Sequence, residues 1–232
     1  MRTLPLLGLL VALLGAPAPG NAGELQTGAQ YVLVAPLAQM ADQFGSVGHG
    51  LDIEAAYRFE RVWLSVGASV IWTWLGESVT RPGPGGGVSE NLRLRTDNTA
   101  TLLDGFVRFQ PRFGIVYPYV EGLLGTSFFN RTASLVNGST RDLFISGERH
   151  SDVAFNWGAG AGVMIEIFKP SLGSTRFAID LRLRYLGGLA ASKYPAAAII
   201  ETDGIPDIEE GSANRYEGLH TLLAHVGFII ML

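Results

Sequence analysis

Apolar and polar residues alternate along most of this chain, and this period of two restricts its fold more than any other feature. Beyond the first 22 residues no run of about 18 apolar residues occurs, which excludes membrane-spanning helices. One segment shows the alternation most clearly. Its apolar positions are Val62, Leu64, Val66, Ala68, Val70, Trp72 and Trp74. This pattern predicts a β-strand with one apolar and one polar face.

Similar segments recur from about residue 24 to residue 232, and they predict about eight strands. Short connections are predicted near Glu60, Gln110–Gly114 and Lys169–Ser174. Long connections are predicted at Pro36–Val47, Gly76–Asp97, Arg131–Ser151 and Ala190–Asn214. Short and long connections thus alternate along the chain, and this alternation is typical of membrane barrels. We therefore predict an all-β fold, an eight-stranded antiparallel up-and-down transmembrane β-barrel with short periplasmic turns and long extracellular loops.

The first 22 residues have the organisation of a secretory signal peptide. Met1-Arg2 is a short basic region, Leu4–Leu14 is an apolar core, and Gly20-Asn21-Ala22 supplies small residues for cleavage. We predict a signal peptide at 1–22 and a barrel domain at 23–232. Export through the signal peptide would bring the chain to the bacterial outer membrane.

Alternation alone does not say which face points inward, since a soluble periplasmic lipid-binding barrel would turn its apolar face inside. The polar face here combines glycines with acids and arginines, and Lys169 and Lys193 are the only lysines. Buried charges must be paired. We therefore predict an ion-pair network in the lumen, formed by Asp52, Glu54, Arg58, Arg61, Asp104, Arg108, Glu121, Glu166, Arg176, Asp180, Arg182 and Arg184.

Aromatic residues on the apolar face fall at two levels when the strands are laid side by side. The outer level comprises Trp72, Trp74, Phe128, Phe155, Trp157, Tyr185 and Tyr216. The inner level comprises Tyr57, Phe59, Phe109, Phe177 and Phe228. Two aromatic girdles around an aliphatic band are typical of a lipid-facing surface.

The sequence offers little for catalysis or for cofactor binding. The chain has no cysteine, its net charge is −4, and no basic stripe indicates a nucleic-acid partner. The four histidines lack metal-ligand spacing. The best candidate for an active site is Glu148–Asp152, but neighbouring His150 and Ser151 would face opposite sides of a strand. We predict no catalytic, cofactor or metal residues, and no enzyme activity.

Two segments carry a resemblance to a known family. Tyr117-Pro118-Tyr119-Val120-Glu121-Gly122 is similar to a strand of the small outer-membrane β-barrel domains, the family of outer membrane protein A and the opacity proteins. The end of the chain, His225–Leu232, resembles the signal read by the barrel-assembly machinery. In that signal His225 is the polar residue, followed by Gly227, Ile230 and, in place of the usual aromatic, Leu232.

The resemblance implies a monomeric outer-membrane barrel that contacts membrane lipid and lipopolysaccharide and is inserted by the assembly machinery. Because a lumen of about eight strands is just filled by side chains, we expect a structural or interaction scaffold that displays extracellular loops to an unknown ligand. The alternatives are a narrow porin-like channel, thinned at Gly158, Gly160 and Gly162, a lipid-modifying enzyme near His150, and the soluble lipid-binding barrel.

Overall fold

The described residues form twelve β-strands in the computed structural model. The structure describes residues 23–37, 47–59, 61–80, 92–137, 143–170, 175–188, 192–193, 198–202, 205–209, 214–215 and 219–232. The strands are β1 (Gly23–Leu37), β2 (Gly48–Phe59), β3 (Leu64–Thr80), β4 (Leu92–Phe109), β5 (Val116–Asn137), β6 (Leu143–Phe168), β7 (Arg176–Gly188), β8 (Ser192–Lys193), β9 (Ala198–Thr202), β10 (Ile205–Glu209), β11 (Asn214–Arg215) and β12 (Leu219–Met231). The predicted signal peptide lies outside the described residues.

Eight of these strands close into one antiparallel barrel, in the order β1-β12-β7-β6-β5-β4-β3-β2. Closure comes from β1 and β12, which pair from Gln26 opposite Met231 to Leu37 opposite His220. The remaining four strands form two small sheets, β9 with β10 and β8 with β11. The predicted eight-stranded up-and-down barrel is therefore confirmed. In the described part of the chain, no helix is long and apolar enough to cross a membrane.

The barrel wall turns its apolar face outward and its charged face inward. On β7, Leu181 and Leu183 are 44% and 54% exposed, whereas Arg182 and Arg184 between and beside them are 3% and 0% exposed. The same alternation puts Asp52 inside and Ile53 outside on β2. This arrangement is the reverse of a soluble lipid-binding barrel, so that alternative is wrong.

Two of the four predicted long loops prove to be largely extensions of barrel strands, and a third, Ala190–Asn214, contains the small strands β8, β9 and β10 and the start of β11. The pairing of β3 with β4 extends to Thr80 opposite Leu94, and that of β5 with β6 to Val136 opposite Leu143. The predicted loops Gly76–Asp97 and Arg131–Ser151 are therefore wrong over much of their length. Their sequences are rich in glycine, charged and polar residues, but a strand beyond the lipid can meet water on both faces.

These extensions form a four-stranded sheet that stands above the rest of the barrel, here called the protruding sheet. It consists of the outer parts of β3, β4, β5 and β6, at the end of the barrel opposite the short connections. The pairing of β6 with β7 begins only at Asn156 opposite Gly188. Among the described residues, Leu143–Phe155 of β6 pairs on one side alone, with β5.

The two ends of the barrel differ, and we call the end with the short connections the inner rim and the opposite end the outer rim. The predicted outer girdle lies on the outward face, with Trp72, Trp74 and Trp157 40%, 46% and 47% exposed. At the inner rim, Phe59, Phe109 and Phe228 are 40%, 44% and 64% exposed, and Tyr57 and Phe177 are half-buried. Tyr216 lies outside the described residues.

The outward orientation of β7 predicts the effect of a charge placed against lipid. Leu181 faces outward between Phe177 of the inner girdle and Tyr185 of the outer girdle. We expect Leu181→Arg to lower the free energy of unfolding in lipid vesicles by about 2–4 kcal/mol, because the guanidinium would enter the hydrocarbon. Leu37→Arg, at the outer end of β1, is the matched control and should cost about 0–1 kcal/mol. Equal costs in urea titrations would contradict the lipid-facing assignment.

Candidate functional site in the barrel lumen

Three arginines and two glutamates form the centre of a buried ion-pair network. Glu54 of β2 lies 2.5 Å from Arg182, 3.3 Å from Arg108 and 3.9 Å from Arg184. Glu121 of β5 lies 2.5 Å from Arg184, 2.9 Å from Arg108 and 3.7 Å from Arg182. Each glutamate therefore contacts all three guanidinium groups, and the contacts join strands from opposite parts of the wall.

Two further acids extend this network on one side of the lumen. Asp52 Oδ2 lies 2.8 Å from Arg182 Nη2 and 3.6 Å from Arg184 Nη1. Asp180 accepts hydrogen bonds from the Tyr119 hydroxyl at 2.7 Å and from the Gln30 amide at 2.9 Å. Arg182 also lies 4.0 Å from Asp180. Sequence reasoning missed Tyr119 and Gln30, although both occupy lumen-facing positions of the alternation.

A second, smaller cluster lies at the inner rim. Arg176 pairs with Glu24 and lies 3.6 Å from Glu166, while Arg58 lies 4.0 Å from Glu24. The Tyr117 hydroxyl donates a hydrogen bond to Glu166 at 2.9 Å and accepts one from Arg176 at 2.7 Å. The predicted residues Arg58, Glu166 and Arg176 thus form a group distinct from the central network. Glu24 and Tyr117 were not predicted to belong to it.

Two residues of the predicted network do not join it. Arg61 is exposed in the connection between β2 and β3, because β3 begins only at Leu64. Asp104 points into the lumen and is 1% exposed, but neither carboxylate oxygen has a hydrogen-bond partner among the described residues. Its neighbours across the sheet are Ser69 and Gly125, which supply no cation. The alternation correctly predicted that the Asp104 side chain points into the lumen, but it did not predict that no described cation pairs with it.

The outer half of the lumen contains an apolar cluster, which the sequence analysis did not predict, beside the buried polar residues Thr73, Ser127 and Asn156. The side chains of this cluster are buried and include Val32, Val34, Ile71, Leu75, Ala100, Leu102, Phe106, Leu123, Leu186 and Leu223. A cavity of about 30 Å³ remains between Leu75, Leu102 and Leu186. That volume holds about one water molecule.

Glycines on the lumen face of β6 leave space for large side chains of the neighbouring strand β5. A Cβ atom on Gly162 would lie 2.5 Å from the Tyr119 ring, and one on Gly160 would lie 2.9 Å from Glu121. The space beside these glycines is therefore filled by Tyr119 and Glu121. The narrow channel considered in the sequence analysis would have to pass these side chains.

The predicted assembly signal forms the strand that closes the barrel. His225 points into the lumen, with Nδ1 3.2 Å from Asp52 and 3.3 Å from Arg182. A Cβ atom on Gly227 would lie 2.3 Å from the Ala29 carbonyl oxygen, so the close approach of β1 requires glycine there. Ile230 and Leu232 face outward and are 38% and 51% exposed.

Paired charges and hydrogen-bonded polar side chains line the described part of the lumen. The described residues contain no group of three or more histidines, aspartates or glutamates able to hold a metal ion. His150 and Ser151 are consecutive residues of β6. Both residues of that candidate pair therefore lie on the strand that forms the edge of the protruding sheet.

A closed eight-stranded antiparallel wall, apolar outside and charged inside, is the architecture of the small outer-membrane barrels. The solved structure of Neisserial surface protein A is similar over 90% of this chain and 98% of that chain, with a TM-score of 0.43 and 13% identity. Ail, the attachment invasion locus protein of Yersinia pestis, is similar over 91% of this chain and 98% of its own, with a TM-score of 0.46 and 14% identity. No family model and no curated protein matches the chain.

The central network predicts a large effect of removing one guanidinium. Arg182→Ala would leave Asp52 and Glu54 short of a buried cation, and we expect a loss of about 3–5 kcal/mol in the free energy of unfolding. The matched control is Arg61→Ala, which removes an exposed arginine and should change it by about 0.5 kcal/mol or less. Urea titration of both folded variants in vesicles measures the difference. A silent Arg182→Ala would show that the network does not stabilise the barrel.

Proposed function

We propose that this chain is a bacterial outer-membrane protein that serves as a rigid scaffold, with a closed lumen and an interaction surface outside the membrane. The observation that carries this proposal is the filled cross-section of the lumen. The central network occupies the middle of the barrel, and the apolar cluster occupies the outer half.

The outward wall supports placement in a membrane. Large apolar residues on every barrel strand are exposed, among them Leu33, Val66, Leu124 and Leu183 at 46%, 48%, 61% and 54%. A contiguous apolar surface of this kind is rare on soluble monomers. The girdles above and below it fit the two interfaces of a bilayer. An outer membrane is the setting in which such barrels occur.

Burial within the lumen supports a closed scaffold over a channel. Arg108 and Arg184 are fully buried, and Glu54 and Glu121 are 2% and 4% exposed. A hydrated ion passing the barrel would need to displace several of these pairs at once. Separating buried pairs without replacement is strongly unfavourable.

The protruding sheet supports an interaction role. It extends beyond the outer girdle, and Leu143–Phe155 of β6 presents an edge with no second partner strand among the described residues. An open edge offers N–H and C=O groups to an added strand, although the Val153 N–H already donates to the Asp152 carboxylate at 2.8 Å. We propose that this surface, together with the neighbouring long connections, is where an extracellular ligand binds.

The outward wall and the final strand β12 also determine what the barrel would contact during and after its assembly. The barrel would be a monomer surrounded by membrane lipid and lipopolysaccharide. Its strand β12 would present Gly227, Ile230 and Leu232 to the assembly machinery. The alternation of exposed and buried residues along β12 supports this role. The signal peptide 1–22 would direct export.

The proposed location predicts a heat-dependent mobility shift. A folded barrel resists detergent at room temperature, so unboiled and boiled outer-membrane fractions should migrate differently on a denaturing gel. Leu181→Arg provides a control, since a destabilised barrel should lose the unboiled species. Recovery of the protein as a soluble periplasmic species, with no shift, would refute the membrane placement.

The closed lumen predicts little ion conductance. Purified protein in planar bilayers should give no stable, large single-channel current. The double variant Glu121→Ala/Arg184→Ala removes two large partners from the network, and we expect measurable current only in that variant. A stable large conductance of the unaltered protein would favour the channel alternative instead.

A further inference from the structure

Each short connection at the inner rim carries an exposed cation and, within two residues of it in the sequence, an exposed aromatic residue. Arg61 is followed by Trp63, which is 59% exposed, and Arg112 by Phe113, which is 67% exposed. In the third connection, exposed Lys169 follows Phe168, which is 58% exposed. Connections that face only water rarely need such apolar residues. We call these three pairs the rim pairs.

The first two rim pairs lie on connected parts of one surface. The backbone N–H of Gln110 donates to the Trp63 carbonyl at 2.7 Å, which ties the β2–β3 connection to the β4–β5 connection. The Trp63 and Phe109 rings lie 5.8 Å apart, so the apolar surface of the connection continues onto the inner girdle. At the third pair, Phe168 likewise lies 5.9 Å from Phe177 of that girdle.

The charges of this surface are one-sided. The inner-rim acids Glu24 and Glu166 have side chains only 13% and 11% exposed, and both are engaged by Arg176. The exposed charged side chains of the described short connections are Arg61, Arg112 and Lys169, all positive. Glu60, in the connection between β2 and β3, lies outside the described residues.

We infer that the rim pairs bind anionic phospholipid headgroups of the leaflet on the periplasmic side. Aromatic residues settle at the headgroup level of a bilayer. Lysine and arginine near the surface attract lipid phosphate, and arginine matches its geometry with paired donors. Trp63 and Phe168 adjoin aromatic residues of the inner girdle, so two of the rim pairs continue the lipid-facing wall, which makes lipid a better fit than a periplasmic protein.

The inference predicts enrichment of anionic lipid around the folded barrel. The protein is placed in nanodiscs that contain phosphatidylcholine and phosphatidylglycerol, and the retained lipids are counted by native mass spectrometry. Each cation in contact should favour the anionic headgroup by about fivefold at low salt. The enrichment should fall as salt is raised, because these cations are exposed.

Two triple variants make the test specific to the rim pairs. Arg61→Gln/Arg112→Gln/Lys169→Gln should abolish the enrichment, whereas Arg61→Lys/Arg112→Lys/Lys169→Arg should retain it. The gel-mobility shift confirms that both variants are folded. Lack of enrichment in the unaltered protein, or equal enrichment in the glutamine variant, would overturn the inference. The salt titration of the unaltered protein decides the matter even when a variant fails to fold.

Discussion

Pairing of buried charge is the constraint on which the rest of this structure depends. Glu54 and Glu121 each contact Arg108, Arg182 and Arg184, and these residues come from β2, β4, β5 and β7. A shift of one residue in any of these strands would turn its charge toward lipid. The network therefore fixes the strand register as well as filling the lumen. Glycines on the neighbouring strand, such as Gly160 and Gly162, leave the space that the side chains of Glu121 and Tyr119 occupy.

The barrel interior is layered, and each layer uses a different means of excluding water. The cluster around Arg176 lies at the inner rim, the central network follows, and the apolar cluster containing Ile71 and Leu186 lies beyond it. Ion pairs in the middle layer are shielded from solvent on the outer side by aliphatic side chains. Shielding strengthens the attraction between charges and raises the cost of separating them. The closed lumen that we propose would thus be a cooperative property of the layers.

The period of two made the strand number and the two faces predictable, because a strand has no freedom in where successive side chains point. The surroundings of each side chain depend on strand registry and on neighbouring rotamers, which one sequence does not specify. Asp104 therefore points into the lumen as predicted but forms no ion pair with any described residue. Arg61 lies outside the lumen because β3 begins later than the sequence analysis predicted. The apolar cluster had a signal in doublets such as Leu102-Leu103 and Leu123-Leu124, which place aliphatic groups on both faces.

The unequal strand lengths give the molecule reach on one side of the membrane. At about 3.3 Å per residue and a tilt of about 40°, the segment Leu143–Phe155 rises on the order of 30 Å along the barrel axis. A partner that meets this edge would stay clear of the crowded headgroup layer. The hairpins that carry the edge could change in length while the lumen contacts stay the same. The contacts that hold the barrel together and the distance to which the protruding sheet extends are therefore set by different parts of the chain.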